Sequence, residues 1–213
     1  MAAEPARLLG AFGAQGSGKT AWVRQVIERM PLRTRLVCWD FKHDPRLKGI
    51  GTDVRSVPEL ARAMKAPKFR LRLLVDHDAD HQEQFKWFCA AVWAAGNVLM
   101  IVDELPEVTR PGKAPPLWRK CINIGRQYTG DDGKQKTIAI VGMAQRPAEV
   151  DKSFIGNLDV LHVGRLGEVN DAREMAGKLG CDWRQLTTLE NLHWIEKRAG
   201  QIEPTRGVLS FRK

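Results

Sequence analysis

Eight residues near the start of the chain carry its clearest chemical signal. Gly13-Ala14-Gln15-Gly16-Ser17-Gly18-Lys19-Thr20 has the G-x-x-x-x-G-K-T spacing of a phosphate-binding loop. Gly13, Gly16 and Gly18 let the backbone curl so that its N–H groups face a phosphate. A following helix would add the positive end of its dipole. Lys19 would reach the β- and γ-phosphates of a nucleoside triphosphate, and Thr20 would ligate Mg²⁺.

Two further groups fit the same chemistry. Val98-Leu99-Met100-Ile101-Val102-Asp103-Glu104 is an apolar strand ending in adjacent acids. Asp103 would hold the Mg²⁺ shell, and Glu104 would polarise an attacking water. The rival reading is a helix-capping Asp-Glu pair. Adjacent acids suit hydrolysis better than transfer to a small acceptor. The apolar run from Thr137 ends at Gln145, followed by Arg146 and Pro147. Gln145 reads either as a γ-phosphate sensor or as an ordinary loop residue.

Other groupings have blander explanations. His77, Asp78, Asp80 and His81 would make a poor metal site, because Asp80 with Glu83 forms a helix capping box. Arg62, Lys65, Lys68, Arg70 and Arg72 read more readily as a solvated face than as a DNA stripe. Arg110 and Lys113, in the loop from Pro106 to Pro116, could touch DNA or be plain surface. The seven tryptophans are expected in the core or at interfaces. Cys38, Cys89, Cys121 and Cys181 show no C-x-x-C pair, so they read as reduced thiols of a cytosolic protein rather than zinc ligands.

The elements that must position these groups follow from periodicity. Arg7–Phe12 reads as a strand, and Lys19 to about Met30 as a helix stopped by Pro31. Strands are expected at Leu36–Phe41, Arg70–Val75, Asn97–Val102, Thr137–Met143 and Val160–Val163. Helices are expected at Val57 to about Ala66, from Asp80 onward, at about Leu117–Tyr128, and at about Asp171–Leu179 with Gly180 beyond its end. Leu192–Lys197 and Gly207–Phe211 suggest a C-terminal hairpin. This alternation implies an α/β fold with a mostly parallel sheet flanked by helices.

With 213 residues and 43% apolar content, a single domain over 1–213 is expected, with a core at about 8–180 and an appendage at about 181–213. No run of eighteen apolar residues suggests a membrane span, and the first residues lack a secretion signal. The net charge of 34 − 25 = +9 suits a polyanionic partner.

The phosphate loop, Asp103-Glu104, Gly125-Arg126-Gln127-Tyr128, Ala144-Gln145-Arg146-Pro147 and Glu149-Val150-Asp151-Lys152 together resemble the FtsK–HerA superfamily of DNA-pumping ATPases. Gly164-Arg165-Leu166 before Asn170-Asp171 extends the likeness, which covers about Leu8–Leu179. The resemblance implies a RecA-like P-loop core that binds ATP and Mg²⁺, works as a ring, usually a hexamer, and couples hydrolysis to moving double-stranded DNA. It also implies an arginine finger acting in trans, matched by Arg126, with Arg146 and Arg119 as fallbacks. A surface ion pair or a helix cap is the other reading of Arg126. The segment Thr129–Lys136 is longer than the family pattern. The small size is similar to packaging ATPases of tailless, membrane-containing viruses, which would act in the host cytoplasm or in the virion and dock on capsid or portal proteins. A filamentous-phage assembly or secretion ATPase, and a nucleotide switch or kinase, are the alternatives.

Overall fold

A computed structural model describes residues 7–31 and 34–210. Strands that are apolar along their whole length form its centre. β1 (Leu8–Phe12), β5 (Val98–Val102) and β9 (Val160–Val163) are buried at every position, and β8 (Ile138–Ala144) at all but one. Strands buried on both faces belong in a parallel sheet covered by helices on each side. β2 (Arg35–Asp40), β3 (Thr52–Val54) and β4 (Arg70–Leu74) continue it on one side. β10 (His193–Arg198) and β11 (Thr205–Val208) continue it on the other. The order is β11-β10-β9-β1-β8-β5-β2-β4-β3. Within this sheet, among the described residues, only the pairings of β10 with β9 and with β11 are antiparallel.

Register fixes the working edge of this sheet. Phe12 pairs with Ala144, Val102 with Gly142, and Trp39 with Val102. The residues just past β1, β8, β5 and β2 therefore share the carboxyl rim, where open parallel sheets bind ligands. Strand β8 lies between β1 and β5.

Side chains alternate between two apolar layers, as a pleat requires. Leu8, Trp39, Phe85, Phe88, Trp118 and Phe154 lie in one layer. Leu9, Trp22, Val23, Ile27 and Leu36 lie in the other. The first layer is roofed by α2 (Val57–Ala63), α3 (His81–Ala95), α4 (Pro116–Ile124), α5 (Lys152–Gly156) and α6 (Val169–Leu179). The other is covered by α1 (Lys19–Glu28), with Leu192, Trp194 and Leu209 from the last hairpin. A short helix, α7 (Trp183–Thr188), packs on α6.

Several expectations shift in detail. The fourth expected helix stops at Ile124, and Tyr128 starts a small hairpin of β6 (Tyr128–Thr129) with β7 (Gln135–Lys136). The long Thr129–Lys136 segment is thus folded. The C-terminal hairpin extends the main sheet, with β10 pairing with β9. Its expected end at Phe211, like residues 1–6, lies outside the described residues. Asp80 caps α3 by accepting from the Gln82 and Glu83 amides, but the Glu83 carboxylate turns away to Lys86 and Trp87, so the capping box is half formed. His77 and His81 pack edge-on around Phe41. Arg72 is buried against Asp40 rather than on a solvated face, whereas Arg62, Lys65 and Lys68 are exposed. Trp39 and Trp118 are core, but Trp87 stands in solvent. Cys38, Cys89 and Cys121 are buried free thiols. No described helix is long and apolar enough to cross a membrane.

Candidate nucleotide site

The phosphate loop links β1 to α1. Gly18 sits at φ 99°, and a Cβ there would meet Leu209 Cδ1 at 2.6 Å. Only glycine fits between that backbone and the last hairpin. Helix α1 begins at Lys19, so its first-turn amides point out of the helix toward the loop. Of the expected cradle, three amides are already engaged: Gly13 N–H donates to Ala144 O (3.2 Å), Ala14 N–H to Arg165 O (2.7 Å) and Ser17 N–H to Ala14 O (3.2 Å).

Lys19 curls over the loop, its Nζ donating to Gly13 O (2.5 Å) and Ala14 O (3.0 Å). Burial lowers its pKa to about 8, a fall that the negative charge of Glu104 moderates. The ammonium is charged at neutral pH and weakly solvated, ready for phosphate oxygens. Thr20 Oγ donates to Asp44 Oδ2 at 3.0 Å.

Across the rim, Asp103 is 7% exposed and its Oδ2 has no hydrogen-bond partner. Burial, then the charges of Glu104 and Asp40, push its pKa up to about 7. A buried, unpartnered carboxylate oxygen in an acid cluster calls for a cation. With the Thr20 hydroxyl lining the same cleft, these hard oxygen donors fit Mg²⁺.

Glu104 has φ 53° and ψ 63°, a left-handed conformation that costs a non-glycine residue about 1–3 kcal/mol. Its carboxylate accepts from Gln145 N–H (3.3 Å), Gln145 Nε2 (3.4 Å) and the Lys42 ammonium. Gln145 therefore touches the acid expected to activate water.

The structure thus brings Lys19, Thr20, Asp103, Glu104 and Gln145, with Gln15, Gly16 and Gly18, around one cleft of about 270 Å³. It does not bring Arg126 there. Arg126 pairs with Asp159 (2.8 Å) and donates to Asn157 O (3.0 Å). Asp159 in turn accepts from Leu8 N–H at the opposite end of β1. Of the fallbacks, Arg146 is held by buried Asp171 (2.7 Å), and Arg119 is exposed on α4.

The loop after β2, which no motif marks, also belongs to the site. Lys42, Asp44 and Arg46 line the cleft too. Asp44 is fixed by Asp40, which accepts its N–H (3.0 Å), and by Arg72, which donates to its carbonyl (3.0 Å). Arg46 donates back to the Asp44 carboxylate (2.9 Å). The signal was present in Asp40-Phe41-Lys42-His43-Asp44, a charged run just past the carboxyl end of a parallel strand. A larger cavity, of about 1030 Å³, lies between α1, the sheet and the last hairpin. None of Gly13–Thr20, Asp103, Glu104 or Gln145 lines it.

Loop, acid pair and sheet order define a P-loop NTPase fold of RecA-like type. The chain superposes on the genome packaging NTPase B204 of Sulfolobus turreted icosahedral virus 2, solved with sulfate, at a TM-score of 0.74 and 13% identity, over 99% of this chain and 100% of that one. It also superposes on the pCW3 conjugation coupling protein TcpA with ATPγS, at 0.55 and 14%, over 95% of this chain and 59% of that one. Both likenesses show the expected α/β fold. The chain is 32% identical to Protein P9 of Pseudoalteromonas phage PM2 over 213 residues, 94% of this chain and 89% of that protein, and it belongs to the family of that phage protein. No protein-family model matches it.

Proposed function

We propose that this chain is an ATP-hydrolysing motor that drives double-stranded DNA into a viral particle. The observation that carries the reading is the convergence of Lys19, Thr20, Asp103, Glu104 and Gln145 on one cleft. The membership of the P9 family and the fold shared with a genome packaging NTPase support the packaging role. The net charge of +9 suits a DNA partner.

Lys19 leaves the carbonyls of Gly13 and Ala14 for the β- and γ-phosphates. Thr20 and Asp103 hold Mg²⁺, which when bound offsets phosphate charge. The Thr20 O–H stays free to donate to Asp44, since a cation takes a lone pair of the hydroxyl. Glu104 orients the attacking water and accepts its proton. Gln145, touching both Glu104 and the cleft, reports the γ-phosphate. Subunits form a ring, a hexamer in this reading, and Arg126 of a neighbour stabilises the transferred phosphoryl. Arg110 and Lys113, exposed on the loop beyond Glu104, face DNA. The ring works in the host cytoplasm and docks on a capsid or portal protein.

The test is ATP turnover with and without duplex DNA. Duplex is expected to stimulate hydrolysis several-fold, and Lys19→Ala to abolish it. Wild-type turnover in Lys19→Ala would remove the site. Turnover indifferent to duplex would remove the translocase, leaving a switch or a secretion ATPase.

A further inference from the structure

Both oxygens of the Glu104 carboxylate are engaged. The two Gln145 contacts, at 3.3 and 3.4 Å, are long for hydrogen bonds. The Lys42 ammonium is the charged and closer partner, and charge-assisted bonds are the strong ones. A carboxylate held this way is a poor base for water.

Lys42 stands on the loop after β2, next to the strand that carries Glu104. Its side chain is 42% exposed and borders the same cleft as Lys19 and Gly16. Its charge is felt at Lys19, where it adds to the depression that burial begins. Arg46, the other added cation of the cleft, is committed to Asp44 through its backbone N–H and its guanidinium. Lys42 is bound instead to the one acid that hydrolysis needs released. A lysine is a point charge on a flexible stem and exchanges partners readily.

We propose that Lys42 is a sensor of the γ-phosphate within its own subunit. Without a triphosphate it holds Glu104. With one, its ammonium moves to γ-phosphate oxygens, which carry more charge than a single carboxylate, and Glu104 is freed for water. A diphosphate lacks that anion, so Lys42 stays on Glu104 and the spent site is silenced. This rests on the reading of the cleft as an ATP site.

The experiment measures equilibrium affinities for ATPγS and ADP, in excess Mg²⁺, by calorimetry. The proteins are the wild type, Lys42→Ala, Lys42→Arg and Lys19→Ala. Losing one charged contact to the γ-phosphate should weaken ATPγS binding to Lys42→Ala about tenfold, with ADP changed by less than about twofold. The retained ADP affinity also shows that the variant is folded. Lys42→Arg should keep most of the preference for the triphosphate. A Lys42→Ala protein with the wild-type ratio of the two affinities, or with both lowered equally, overturns the sensor. Wild-type protein that binds neither nucleotide, like Lys19→Ala, overturns the ATP site itself.

Discussion

Glu104 is held in a left-handed conformation at φ 53° by the turn that follows it, where Glu107 N–H donates to Glu104 O at 3.1 Å. Strain retained at such a position aims the side chain. Here it turns the carboxylate toward Gln145 and Lys42 at the rim. Glu104→Gln keeps size and shape but cannot take a proton from water. Hydrolysis should fall by about 10²–10⁴-fold, the usual worth of a general base, while ATPγS still binds. Single-turnover hydrolysis beside a binding titration reads this out, and unimpaired hydrolysis would strip Glu104 of its role. Lys19, Thr20, Asp103, Glu104 and Gln145 could be found from sequence because each sits in a local pattern of strand, loop and polar end. Lys42 and Asp44 show only as a charged run after a strand, and that run joins the site because β2 lies beside β5. Neighbour order in a sheet leaves no mark on spacing.

A buried polar knot joins α1 to β9 and β10. Trp22 of α1 stacks on His162 of β9, with ring centroids 4.5 Å apart. Both donate to Glu196 of β10, at 3.2 Å each. Glu196 only accepts, so His162 presents its Nδ1–H, and Arg198 adds a third donor at 3.1 Å. Burial holds His162 below its ordinary 6.5, against the pull of Glu196. Burial would raise Glu196, but the bond from His162 and the charge of Arg198 outweigh it and leave it lowered. Both groups resist protonation when folded, so both signs agree. Stability is full above pH 6.5 and falls as the unfolded chain takes up protons that the fold refuses. The melting temperature should drop between pH 7.5 and 5.5, and the drop should shrink in His162→Gln. For a chain of this size, about 2–4 °C accompanies each kcal/mol. An equal drop in the two proteins would show that other groups set the acid limit. The long helices α1 and α3 were legible because their burial repeats over many residues, and β5 because it is apolar throughout. The three residues of β3, five of α5 and six of α7 are too few to show a period. They exist because caps at Asp151 and Asp182, and a sheet edge already formed, accept them.

Across the whole molecule, the sheet sets a distance that decides how Arg126 can act. Arg126 is anchored at the amino end of β1 through Asp159, and the phosphate loop leaves the carboxyl end. Five residues of strand separate the two by about 16 Å. A guanidinium so anchored cannot serve its own cleft, so a catalytic Arg126 must complete the cleft of another subunit. The pair with Asp159 is partly exposed, 37% and 24% for the two side chains, and such pairs contribute about 1 kcal/mol or less. Releasing it to reach across an interface is therefore affordable. Mixing two inactive proteins tests this. Lys19→Ala has an intact arginine beside a dead loop, and Arg126→Ala has the reverse. In a ring mixed at random from equal parts, about a quarter of the interfaces join a live loop to a live arginine. Duplex-stimulated turnover should return to about that share of wild type if each interface works alone. Arg126→Lys, which keeps a charge for Asp159, should fold normally yet stay slow, because an ammonium cannot span two phosphate oxygens as a guanidinium does. Inactive mixtures made from well-folded Arg126→Ala, or full turnover by that variant alone, would return Arg126 to a structural ion pair and pass the search for a finger to Arg146 and Arg119.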